Sequence, residues 1–310
     1  MPREFPSYYT YADVDQFKNY LIGSGYSSTW TDDKTELRRI LRQVSSEMEN
    51  YCGGNTFGPY TNALSFDIGS GPLVDDVRPL VPGTTNLFTP TATRDAILPF
   101  PYWLISITTA TSYDSTARSS SETWSEGLSN DYLLIPYDSK PYLGLKQSIE
   151  SEKSFNGGQK TFVIDGIWGF QDVSSAVITT TNEAIDATEV AIDLTSATNI
   201  SEGMTIKVGN ELMYVESIST NTITVVRGVH GTTKATHSTS ANVTSQVFPD
   251  DIVQICCEAA RVRYREKDLG LNRDLGSGEM QTTIPTRETK LIMKELDKYK
   301  LYNNVNSVVF

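Results

Sequence analysis

Apolar residues recur every three or four positions near both ends of the chain and every second position through its middle, a pattern that predicts helices flanking a long β segment. Asp13 is placed to cap a short amphipathic helix that carries Val14, Phe17 and Leu21 and stops at the Gly-rich GSGYSS. A second helix follows, capped by Thr31 or Asp32. Leu37, Ile40, Leu41, Val44, Met48 and Tyr51 share one face of it, and Gly53-Gly54 end it. From Asn62 to Phe170 the period becomes two, and ALSFDI, YWLISITTAT, YLLIPY and KTFVIDGIWGF read as strands between Pro and Gly turns. A Thr-, Ser- and Ala-rich stretch from Val177 to about Gln246 alternates in TEVAIDL, MTIKVG, ELMYVES and NTITVVRGV. Gly203, Gly209-Asn210 and Asn221 fall in it where tight turns are expected. Helical spacing returns after Phe248-Pro249. Asp250-Asp251 cap a run through Lys267 that buries Ile252, Ile255, Cys256, Ala259, Ala260 and Val262, and Pro285-Thr286 begin a last helix with Leu291, Ile292, Leu296 and Tyr299 apolar.

These elements make an α+β protein in which N- and C-terminal helices form a helical core, with a β region and an inserted small β-barrel or sandwich-like module. The expected divisions are 1–61 for the N-terminal helices, 62–176 for a β region packed on the core, 177–247 for the inserted module, 248–300 for the C-terminal helices and 301–310 for an extended tail.

Composition narrows the class. Of 310 residues 38% are hydrophobic and 10% aromatic, which is globular and not disordered composition. No apolar run is long enough to cross a bilayer and the N-terminus lacks a signal pattern, so the expectation is a protein made in a cytoplasm, with no membrane partner. The formal charge is −12. From Pro249 onward ten basic residues balance ten acidic ones, so the whole excess lies before it. That distribution opposes a phosphate-gripping nucleic-acid reader. Three cysteines make no disulfide framework, and reduced, packed thiols are expected.

Candidate chemistry is sparse. GSG at Gly69–Gly71 and Gly276–Gly278 lacks the Lys-Ser/Thr of a P-loop, so both read as turns. The pairs Asp32-Asp33 and Asp250-Asp251 fall at helix starts, where capping explains them better than carboxylate catalysis or metal binding. The two histidines, His230 and His237, lie in RGVHGTTKATHS and read as ordinary loop residues. No catalytic residues, metal ligands or cofactor are expected. In RVRYREK, Arg261 and Arg265 share one face and Arg263 and Lys267 another, and these charges are candidates for ion pairs with a neighbouring subunit. Tyr8, Tyr9 and Tyr11, and at the other end Tyr302 and Phe310, sit in segments too short to bury them alone, which suggests contacts with other chains.

The helical start ending in LRRILRQVSSEMENYCGG, the strand ending in VIDGIWGF and the later PDDIVQICCEAARVRYREKDLG resemble the head-tail adaptor, or head-completion, proteins of tailed bacteriophages. Residues 186–237, from DATEVAIDL to TTKATH, are similar to a β module of longer members of that family. The resemblance implies a virion structural protein of the neck, without enzymatic turnover, whose copies close into a ring of twelvefold symmetry between the portal protein and a tail, nozzle or stopper protein. Double-stranded DNA would pass through the lumen without sequence-specific binding. On this reading Tyr302, Val305, Val308, Val309 and Phe310 form a portal-docking tail. The acidic balance keeps DNA sliding. A carbohydrate- or receptor-binding tail component is the other expectation, favoured by a Thr/Ser-rich module with exposed aromatics. A small hydrolase built on acidic pairs is the third.

Overall fold

The computed structural model describes residues 8–25, 33–68, 87–88, 97–268 and 284–300. They form a mixed α+β structure with four α-helices and two sheets among the described residues. The chain divides into two compact units, one holding Pro59–Gln171 and the other holding the described residues on either side.

The first unit is a seven-stranded sheet. Its strands are β1 (Tyr60–Ile68), β2 (Leu87–Phe88), β3 (Ile97–Tyr113), β4 (Ser121–Trp124), β5 (Tyr132–Ile135), β6 (Tyr142–Gln147) and β7 (Gly158–Trp168). They run in the order β2-β1-β7-β3-β6-β5, with β4 also on β3. The long β3 pairs with β6 through its first half and with β4 at its end, while β7 runs beside Leu104–Ser112. Alternation of apolar residues along these strands fills one core with Phe66, Phe100, Leu104, Trp124, Phe162, Ile164 and Trp168. Trp168 donates its indole N–H to the Asn62 carbonyl at 2.9 Å, so its polar edge is satisfied inside the sheet. Gly166 is required by close packing: a Cβ there would lie 2.5 Å from the Ser106 carbonyl oxygen.

The second unit joins the four helices to the β module. Asp13 accepts from the Gln16 N–H and Gln16 reaches back to the Asp13 N–H, a capping box that starts α1 (Val14–Gly23). The helix α2 (Lys34–Tyr51) begins at Asp33, whose carboxylate accepts from the Glu36 N–H. The cap is therefore Asp33, one or two residues later than Thr31 or Asp32, because its side chain is the one spaced to reach the third helical N–H. The apolar stripe of α2 is buried as its spacing predicts, apart from half-buried Tyr51. In α3 (Asp250–Asp268) the Pro249 carbonyl accepts from Ile252 and Val253, so Asp250 and Asp251 occupy the first turn and favour the helix dipole without being the cap. α3 packs against α2 and against α4 (Ile284–Lys294), and α1 touches α2 and α3.

The module supplies β8 (Thr179–Thr180), β9 (Ala191–Asp193), β10 (Thr205–Val208), β11 (Glu211–Ser219), β12 (Thr222–Arg227) and β13 (Asn242–Ser245), ordered β8-β13-β10-β11-β12-β9. This sheet curls until its two outer strands meet through a bridge between Thr181 and Leu194, so neither edge is left open there. One face encloses Ile192, Leu194, Ile206, Val208, Met213, Val215, Ile223, Val225 and Val243. The opposite face carries Leu212, Tyr214 and, just beyond β12, Val229, packed with Tyr8. The module belongs to the same unit as the helices because this second apolar face is covered by the start of the chain.

Candidate functional site

Three groups of side chains stand out. The first is the basic run on α3. Arg261 and Arg265 converge on Glu288 of α4, as their shared face predicts, and Arg263 reaches Glu47 of α2 at 2.8 Å. These charges tie α3 to both neighbours within one chain. The acids expected from a neighbouring subunit are thus matched, for these three arginines, by acids of the same chain. Each pair is about one-third exposed, so solvent screening leaves it little net energy. The Lys267 side chain lies outside the described residues, as does the whole tail with Tyr302, Val305, Val308, Val309 and Phe310.

The last described residues are held in place. The Tyr51 hydroxyl donates to Asp297 at 2.8 Å, Lys300 pairs with Asp297 at 2.8 Å, and the Lys300 ammonium lies 3.6 Å from the Tyr51 ring centroid. Asp251 accepts from Lys298 and from the Tyr299 hydroxyl at 2.6 Å. Burial opposes ionisation of Asp251, but those two bonds outweigh it and hold its carboxyl below the usual range. These bonds fix residues 297–300 against the end of α2 and the start of α3.

The second group is buried in the module. Arg227 donates through Nε and Nη2 to both oxygens of Glu211 at 2.7 and 2.8 Å, and both side chains are fully buried. Its other donors reach the carbonyls of Asp186, Glu189 and Ala235 at 2.8, 2.9 and 2.6 Å. Glu211 also accepts from the Gly228 and Ala235 N–H groups and contacts His237 Nε2 at 2.9 Å. Burial raises the carboxyl pKa, but these donors together lower it by more, leaving Glu211 below its ordinary value. His237 is thus no ordinary loop residue. It belongs to a charge network that folds residues 228–237 back on the sheet, since a buried charge is tolerated only when its bonding capacity is filled. The signal was present in the pattern: Arg227 falls in phase with buried Ile223 and Val225, and Glu211 with Met213 and Val215. Charges at core positions of two paired strands announce a partner.

The third group is the N-terminal segment from Tyr8 to Ala12. Tyr9 and Tyr11 are fully buried, contrary to the expectation that they wait for another chain. The segment runs between the helices and the module, which supply the surface it could not bury alone. The Tyr11 hydroxyl donates to Glu49 at 2.6 Å, the Tyr11 N–H bonds to Ser45, and Tyr9 stacks on His230 with centroids 3.4 Å apart. Tyr8 lies against Tyr214, with the Arg42 guanidinium 4.9 Å from its ring. His230, also expected to be an ordinary loop residue, is buried at φ 58°, a left-handed conformation rare for a residue with a side chain. Burial alone drives its imidazole down to about 3, so it is neutral.

Further features complete the picture. The one aromatic between Val177 and Val247 is Tyr214, which is buried, so the Thr/Ser-rich module lacks the exposed aromatics expected of it. In the first unit Leu128 is 75% and Ile149 58% exposed, and a bond from Ser148 Oγ to the Leu128 carbonyl brings their loops together. Cys52, Cys256 and Cys257 are free and buried, as expected of packed thiols, and burial pushes Cys52 up to about 12 and Cys256 up to about 11. Among the described residues no three His, Cys, Asp or Glu side chains are grouped to hold a metal ion. Comparison of the chain with protein-family models, curated proteins and solved structures finds no match in any of the three.

Proposed function

We propose that this chain is a structural protein of a tailed-phage neck, whose copies form a ring between the portal and the tail and leave a channel for double-stranded DNA. The observation that carries the reading is the grouping of helices from both ends of the sequence into one unit with the β module, while residues 59–171, which intervene in the sequence, form a separate unit. That arrangement matches the order of parts on which the resemblance rests. We read the helices as the shared core of a ring protomer and the two β portions as what it presents to its neighbours. The exposed side chains of Leu128 and Ile149 suit contacts with another protein. Residues 301–310, outside the described residues, are assigned to the portal.

The carbohydrate-binding reading has lost the observation that favoured it, because sugar platforms need exposed aromatic rings and the module's only one is buried. Native mass measurement of the purified chain, alone and with the cognate portal, tests the proposal. A closed ring of a single copy number on the portal is expected, and deletion of 301–310 is expected to abolish portal binding while leaving the fold intact. A chain that stays monomeric beside the portal contradicts it.

A further inference from the structure

One end of the first unit's sheet carries exposed apolar side chains among carboxylates. Tyr132 of β5 pairs with Gln147 of β6, so residues 125–131 and 148–153 leave that strand pair at the same end. Asp131 ties the two loops together: its carboxylate accepts from the Ser125 N–H at 2.8 Å, the Ser151 hydroxyl at 3.0 Å and the Lys153 ammonium at 2.9 Å. The Asp131 carbonyl accepts from the Ser148 N–H, and the Leu128 carbonyl from the Ser148 hydroxyl. Loops fixed in this way lose little further freedom when something binds them. They expose Leu128 and Ile149 together with Glu126, Glu150 and Glu152. Lys153, their one basic residue, is engaged by Asp131 and the Thr123 carbonyl, and no described cation pairs with the three glutamates.

The second unit carries the converse. On α4, Ile292 and Met293 are buried and Glu288 is held by Arg261 and Arg265. Lys290, Leu291 and Lys294 are exposed, and their spacing makes them neighbours on one face of the helix. Neither lysine has an ion-pair partner among the described residues, whereas Lys298 and Lys300 are paired with Asp251 and Asp297. Glu295 is the single exposed acid beside them, so the face keeps a positive balance around its leucine. We infer that this face of α4 in one copy docks on residues 125–131 and 148–153 of a second copy. Leu291 meets Leu128 and Ile149, while Lys290 and Lys294 meet Glu126, Glu150 and Glu152. Apolar contact at the centre and opposite charges at the rim set the register. Two different surfaces form the joint, so each copy keeps one of each for its other neighbour, and such contacts run on until they close. The contact rests on the ring reading of the function, whose joint it specifies.

Two full-length variants test it, one with Glu126→Lys, Glu150→Lys and Glu152→Lys, the other with Lys290→Glu and Lys294→Glu. All five side chains are exposed, so both chains are expected to fold. In sedimentation velocity each variant alone should self-associate about tenfold more weakly than the native chain, because like charges then meet across the joint. Mixed in equal amounts, the two should regain the native strength as alternating assemblies with an even number of copies. Carbodiimide crosslinking of native chain, half of it labelled with nitrogen-15, gives a second reading that depends on no variant. Amide links between Lys290 or Lys294 of one isotope and Glu126, Glu150 or Glu152 of the other are expected. Variants that associate like the native chain, a mixture no stronger than its parts, or links confined to single copies overturn the contact and leave the ring reading standing. Reversals that spare self-association but abolish portal binding also overturn it and give the surface to the portal. A native chain that stays monomeric, alone and beside the portal, overturns both.

Discussion

Arg227 shows how much one side chain can organise. All five of its N–H donors are used, and the buried pair with Glu211 ties the residues around 186–189 and 235 to the sheet. Removing one partner leaves the other charge buried alone, so Arg227→Ala is expected to cost the second unit about 3–5 kcal/mol. Arg227→Met together with Glu211→Leu, which removes both charges, should cost far less; thermal unfolding of the two proteins checks the difference. The pH dependence follows from the same carboxylate. The folded pKa of Glu211 is depressed, so its contribution is fully present above the unfolded value of about 4.3 and is lost as pH falls through the folded value. The unit should hold through mild acid and lose stability below the ordinary carboxylate range, and Glu211→Gln should flatten that loss. The cysteines give a simpler expectation. With thiols pushed up to about 12 at Cys52 and about 11 at Cys256, alkylation near pH 8 should be negligible in the folded chain and prompt in denaturant.

At the scale of the element, the helices were legible because each rule they obey is local. The capping box at Asp13 and Gln16 and the stripe from Leu37 to Met48 need nothing from distant sequence. Leu41→Ala, deep on that stripe, is expected to cost about 2–5 kcal/mol by circular dichroism melting. The strands were legible as strands, but their partners were not: β1 pairs with β7 across almost a hundred intervening residues, and no short-range pattern encodes that choice. Tyr9 and Tyr11 were misread for the same reason. Their burial depends on Ser45, Glu49, Phe57, His230 and Phe248, which come from four separate stretches of chain. The His237 contact was hidden likewise, although the in-phase charges at Glu211 and Arg227 gave warning that something polar had to meet them. The C-terminal anchor belongs at this scale too. Asp251→Asn weakens its bonds to Lys298 and Tyr299, and faster amide exchange at the end of α2 and in residues 295–300 is the expected readout.

For the whole molecule, the discontinuity of the second unit is the property with most consequence. Its helices come from opposite ends of the sequence, so the 59–171 unit is carried as an insertion and the second unit cannot complete itself until the C-terminal helices have been made. The −12 excess lies before Pro249, while the helices after it are balanced, and the proposed function gives that excess a use. Like charge around a channel keeps a duplex moving through it. The proposed function turns on location in the particle. Electron micrographs of virions carrying a gold-labelled tag on this chain test it most directly: label confined to the single vertex where head meets tail is the predicted result, and label at the tail tip, over the head shell or absent from the particle contradicts it.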